Sequence, residues 1–146
     1  MNILSKAIVI AAAAHIEQTD KGGKPYILHP IRMMMRLRTD DEELMAIAIL
    51  HDVVEDSGIG FDFLLEEGIT KRIVDALICL TKQEGEDYDS FISRVLTNKD
   101  AMIVKLEDLR DNSDITRLKG LREKDFERLE KYSKAYSRIS KALSSF

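Results

Sequence analysis

Apolar residues recur along this chain at spacings of three and four, and no segment sustains the alternation that makes a strand. In residues 3–18, Ile8, Ala11, Ala12 and His15 fall on adjoining turns, which predicts a first helix. The polar stretch 19-TDKGGK-24, with two glycines, predicts a turn. Pro30, closing 25-PYILHP-30, suits the first position of a short helix to residue 37, whose Met33-Met34-Met35 run reads as packing material. Asp40 or Asp41 caps a third helix, with Glu42 and Glu43 in its first turn. That helix continues through 44-LMAIAILHDVV-54, apolar almost all round, and so belongs at the centre of the molecule.

Further helices are expected over 61–66 and over 69–81, the latter with Ile73, Val74, Leu77, Ile78 and Leu80 inward. The loop 82-KQEGEDYD-89 is polar; residues 88–97 are helical again. Residues 99–113 turn Met102, Ile103, Leu106 and Leu109 to the core. A charged final helix, about 122–143, carries Leu129, Tyr132, Tyr136 and Ile139 at helical spacing. The sum is an all-α bundle of roughly seven helices.

At 146 residues the simplest organisation is one domain, 1–146, without repeats or linkers. A net charge of −4 argues against a large nucleic-acid footprint, which needs a basic face. The single Cys79 excludes an internal disulfide and reads as a buried small hydrophobe. No signal peptide is seen, and the apolar N-terminus, broken by Ser5 and Lys6, is too short to span a bilayer. The expected setting is cytoplasmic.

The chemistry concentrates in 50-LHDVVEDS-57, where an apolar helix ends on His51-Asp52 with Glu55 and Asp56 one turn later. Acids near a helix C-terminus face the negative end of its dipole. Buried carboxylates are costly unless paired or bound to metal, and no Lys or Arg lies between residues 39 and 70. A metal is the economical partner; a capping or ion-pair role is the alternative. A second acidic cluster, 104-VKLEDLRDNSD-114, sets Asp108 and Asn112 four apart on one face if helical, while Glu107, Arg110 and Asp111 point elsewhere. His15 reads as a hydrogen-bonded structural histidine. Arg110, Arg117, Lys119, Lys131 and Lys134 read as solvated helix residues. The constellation His29, His51, Asp52 and Asp108, drawn from three helices, is a nitrogen and oxygen set without thiolate. It suits a divalent ion, Mn²⁺ first, with Fe²⁺, Zn²⁺ and Mg²⁺ left open, and it leaves coordination positions for water and substrate.

These residues carry a resemblance. The order His…His-Asp…Asp resembles the HD-domain phosphohydrolase superfamily. The stretches 11-AAAAHIEQTDKGGKPYILHP-30, 48-AILHDVVEDS-57, 70-TKRIVDALICLTK-82 and 104-VKLEDLRDN-112 resemble RelA/SpoT hydrolase domains and single-domain small alarmone hydrolases, over roughly residues 7–139. The resemblance implies a manganese enzyme of the stringent response that removes the 3′-pyrophosphate of (p)ppGpp. It implies His29, His51, Asp52 and Asp108 as metal ligands and Glu55 and Asp56 as the catalytic pair acting on the attacking water. It implies Lys21, Tyr26 and Asn112 as substrate contacts. Two positions depart from the family pattern: Asp20 stands where an arginine usually meets the guanine base, and Asp111 where a histidine is often found. A carboxylate offers no cation–π contact and repels phosphate.

The expected activity is therefore ppGpp hydrolysis without a synthetase. Hydrolysis of another nucleotide, or a non-catalytic nucleotide-binding module, are the alternatives. The expected partner is a small nucleotide, with no nucleic acid and no membrane, and a homodimer is left open.

Overall fold

The computed structural model describes residues 1–146, and every regular element is helical; the one β-type pairing is an isolated bridge between Thr19 and Pro25. The all-α expectation holds. Seven helices have eight residues or more: α1 (Ile3–Ala14), α2 (Leu28–Arg36), α3 (Glu42–Leu50), α6 (Lys71–Leu80), α7 (Tyr88–Val95), α8 (Lys99–Asn112) and α9 (Glu123–Leu143). Two short ones, α4 (Val53–Asp56) and α5 (Phe61–Glu66), and a 3₁₀ turn (Ile115–Arg117) complete the chain. No helix is long and apolar enough to cross a membrane.

Side-chain caps set most helix starts. Asn2, Asp41, Thr70, Asp87 and Asn98 each accept a hydrogen bond from the backbone N–H three residues on. Of the two candidate caps at α3, Asp41 is the one used. Helix α3 is the axis of the fold. Leu44 and Ala46 to Leu50 are all buried, and the helix packs against α1, α2, α6 and α8. Burial on every side is what an all-round apolar sequence requires, and it places the polar end of α3 in the interior.

Several readings need correction. The first helix ends at Ala14, not residue 18: His15 caps it, and the chain turns into the Thr19–Pro25 bridge. The helix expected through residue 54 divides, because Asp52 (φ −109°, ψ 1°) leaves helical geometry and α4 starts afresh at Val53. Ile78 is 40% exposed, and Ala76 takes the inward position on α6. In the methionine run only Met33 is buried; Met35 is 66% exposed. Cys79 is half-buried, its Sγ 3.6 Å from the Thr97 hydroxyl.

Candidate metal centre

Three elements bring the centre together. Helix α2 supplies His29 in its first turn, the end of α3 supplies His51, and α8 supplies Asp108. One ligand atom from each of the three lies within 4.8 Å of the others, and all three residues are buried. His29 Nε2 is 2.9 Å from Asp108 Oδ1, and His51 Nε2 is 3.5 Å from the same oxygen. The two imidazoles meet edge to face, centroids 5.1 Å apart. Asp52 stands at the edge, its Oδ2 3.0 Å from His51 Nε2 and accepting the Tyr26 hydroxyl.

The donor set fits a divalent cation. His51 Nδ1 lies 2.7 Å from the Ala48 carbonyl, which can only accept, so Nδ1 carries the proton there. Nε2 then faces the carboxylates of Asp52 and Asp108, buried and without a hydrogen-bond partner. A lone pair aimed at two carboxylates needs a positive species between them, a proton or a metal. The electrostatics say the same. Burial opposes charge on His51, but Asp52 and Asp108 overcome it and hold its pKa well above the ordinary range. Burial likewise works against the Asp108 carboxylate, yet Lys105 and the two histidines hold its pKa well below normal. His29, Asp108 and His51 thus form a group able to hold a divalent metal.

Two clefts adjoin the centre and share Asn112 and Tyr132. One, about 290 Å³, is walled by the 18–22 loop with Tyr26, Arg117, Arg128 and Asp114. The other, about 230 Å³, exposes Asp52 and Asp108 and is walled by Glu55, Lys82, Lys105, Lys131 and Tyr88. Glu55 sits at this second mouth, its Oε1 accepting from the Lys82 backbone N–H at 3.1 Å. Partial burial, then the neighbouring Asp52, raise its pKa. Asp56 lines neither cleft; its Oδ2 accepts from the Gln18 side-chain amide at 3.0 Å. Lys21 is exposed on the first cleft. Asn112 donates to Asp108 Oδ1 at 2.9 Å. Asp20 turns its Oδ1 into its own loop, accepting from Gly22 N and Lys24 N at 2.9 Å each.

Two neighbours of the centre escape a local reading of the sequence. Lys105 donates to Asp108 Oδ2 at 2.7 Å. Asp111 does not point elsewhere: it is fully buried, and its Oδ2 lies 2.6 Å from His29 Nδ1. Glu107 is buried too, paired to Arg110, whose guanidinium lies over the Tyr136 ring. The signal for Asp111 was its spacing: Asp108 and Asp111, three apart on a helix, share a face.

No protein-family model matches the chain. The fold, however, is an HD-type helical bundle. A solved structure described as "A metazoan ortholog of SpoT hydrolyzes ppGpp and plays a role in starvation responses" superposes with a TM-score of 0.74, covering 99% of this chain and 93% of that one at 20% identity.

By sequence the resemblance to the RelA/SpoT family is borne out. The chain is 30% identical over 122 residues to a probable guanosine-3′,5′-bis(diphosphate) 3′-pyrophosphohydrolase of Synechocystis. It is 32% identical over 124 residues to the bifunctional (p)ppGpp synthase/hydrolase SpoT of Escherichia coli K12. Each alignment takes in 75% of this chain but only 16% and 17% of the relatives' length, so the chain spans about a sixth of each.

Proposed function

We propose that this protein is a metal-dependent phosphohydrolase that cleaves the 3′-pyrophosphate from ppGpp, with Mn²⁺ held by His29, His51, Asp108 and Asp52. The observation that carries the proposal is the convergence of His29 Nε2, His51 Nε2 and Asp108 Oδ1, with the Asp52 carboxylate at their edge. The names of the relatives point to the same reaction and substrate. A bound dication would supply a water whose pKa falls from 15.7 towards ~7, and would take up phosphoryl charge.

The chain's own groups do the rest. Tyr26 holds Asp52 in place through its hydroxyl. Glu55, at the mouth beside Asp52, is placed to accept and return the proton of the attacking water. Asp56 joins that role on resemblance alone, since Gln18 holds its carboxylate. Lys82, Lys105 and Lys131 around the smaller cleft offer charge to a phosphate chain, and Lys21, Asn112 and the Tyr26 ring border the space for the nucleoside.

The test is a Mn²⁺-dependent assay on ppGpp, pppGpp and other phosphorylated nucleotides. Pyrophosphate release from ppGpp is expected. Asp52→Ala should abolish it, and Glu55→Ala should slow it by about 10²–10⁴-fold, the usual reach of general acid–base catalysis. Turnover of other nucleotides but not of ppGpp would reassign the substrate. Tight nucleotide binding without turnover under any metal would make this a binding module.

A further inference from the structure

We infer that Asp111 is the positioning residue of the metal centre, deciding which nitrogen of His29 carries a proton and therefore which one meets the cation. This rests on the metal reading above.

The bonds around Asp111 leave its carboxylate no freedom. Oδ1 accepts from Arg32 Nε at 2.8 Å and Arg36 Nη1 at 3.0 Å. Oδ2 accepts from Arg32 Nη2 at 3.0 Å and lies 2.6 Å from His29 Nδ1. Arg117 adds a third guanidinium, 3.4 Å from Oδ2 and hydrogen-bonded to the Asp111 main-chain carbonyl. Three guanidiniums allow a carboxylate to stay ionised at zero exposure, where an unpaired one would be costly. An ionised carboxylate only accepts, so His29 Nδ1 must donate. Nε2, 2.9 Å from the Asp108 carboxylate, is then the only nitrogen of the ring that can give up its proton and offer a lone pair to a cation held between His29 and Asp108.

His51 reaches the same end by another device, its Nδ1 held by the Ala48 carbonyl. Both imidazoles thus present Nε2 to one point, one fixed by backbone and the other by a clamped side chain. Arg117 carries the arrangement outward. It lines the larger cleft and lies 3.7 Å from Asp20 Oδ2, so one guanidinium connects the 19–24 loop to the group behind His29.

Asp111→Asn tests this sharply. The arginines demand the amide oxygen, which turns the amide N–H₂ towards His29 Nδ1. Donor then faces donor, and the ring must take the opposite tautomer, with its proton on Nε2. Mn²⁺ affinity measured by calorimetry should fall about 10–100-fold, the usual cost of losing a partner behind a metal ligand. Unchanged affinity in a folded D111N protein would overturn the inference.

Should D111N not fold, the wild type decides. With Zn²⁺ as a diamagnetic probe, ¹⁵N NMR should show His29 bound through Nε2 and protonated on Nδ1. Binding through Nδ1 would overturn the inference, while binding at the centre would still uphold the metal reading. A wild type that takes up neither ion sinks the metal reading and this inference with it.

Discussion

At the surface Arg72 gathers Asp41, Glu43 and Asp100; in the interior Asp111 gathers Arg32, Arg36, Arg117 and His29. The two clusters are near mirror images in charge. Arg72 is 39% exposed and Asp111 is wholly buried. The outer cluster sits where the N-termini of α3, α6 and α8 converge. Asp41 and Asp100 face the positive ends of their own helices, and Arg72 bridges them although its own position, in the first turn of α6, is unfavourable for a cation. Water screens these charges, so the outer cluster staples helix ends at little gain. In the inner cluster Asp111 and His29 have no water to fall back on, although the three guanidiniums reach out to solvent. Each bond to Asp111 replaces hydration that burial removed from its carboxylate, and one of them reaches the candidate metal centre.

Removing the hub of each cluster should expose this difference. Asp111→Ala breaks the buried His29–Asp111 pair and takes the shared anion from three part-exposed guanidiniums. Breaking a buried pair by deleting one partner costs roughly 3–5 kcal/mol. Urea unfolding monitored by circular dichroism should show a loss of that size. A loss below about 1 kcal/mol, the range of exposed ion pairs, would mean that the interior cluster behaves like a surface one.

Taking one spoke from the inner wheel should hurt less. Arg32→Gln deletes two charge-assisted bonds to Asp111 and leaves Arg36 and Arg117 in place. A hydrogen bond to a charged group contributes about 1.5–3 kcal/mol, and one such loss is the expected scale. The same unfolding experiment checks it, and an effect equal to that of Asp111→Ala would show that Arg32 alone holds the carboxylate.

Which of these charges could be seen in the sequence follows from the range of the interaction. The all-round apolar run 44–50 sets α3 at the centre by composition alone, and the His51-Asp52 pair at its end marked where chemistry concentrates; His51 joins His29 and Asp108 in the group able to hold a metal, with Asp52 beside it. Caps such as Asp41 were legible because they act within three residues. The Asp111 cluster was not, because three of its four partners, His29, Arg32 and Arg36, lie 75 to 82 residues away in sequence. A search for cations between residues 39 and 70 could not reach them. His29, Arg32 and Arg36 do share a helix face at i, i+3 and i+7, and that stripe was available to a reader asking what α2 presents to α8. The division after Leu50 was hidden for another reason: the apolar periodicity continues through Val53 and Val54, and only a side chain turned back on Ala48 marks the end.

The smallest expected effect is at the outer hub. Arg72→Ala should lower stability by no more than about 1 kcal/mol at neutral pH, the range of exposed ion pairs. Two changes of condition should shrink it. In 1 M salt, where the Debye length is about 3 Å, most of the difference from wild type should vanish. Acid should do the same, and the sign can be worked out. The Arg72 guanidinium, hydrogen-bonded to Asp41, holds that carboxyl's pKa below its ordinary range. A group depressed in the folded state stabilises the fold above its unfolded value, about 3.9, and loses that contribution as pH falls through the folded value. Unfolding of wild type and Arg72→Ala compared at pH 7, 4 and 3 should therefore show a gap that closes on acidification. The gap for Arg32→Gln should persist to lower pH, because His29 and Arg32 overcome burial and hold Asp111 far further below the carboxylate range. If both gaps close together, the two clusters share one dielectric environment and burial does not distinguish them.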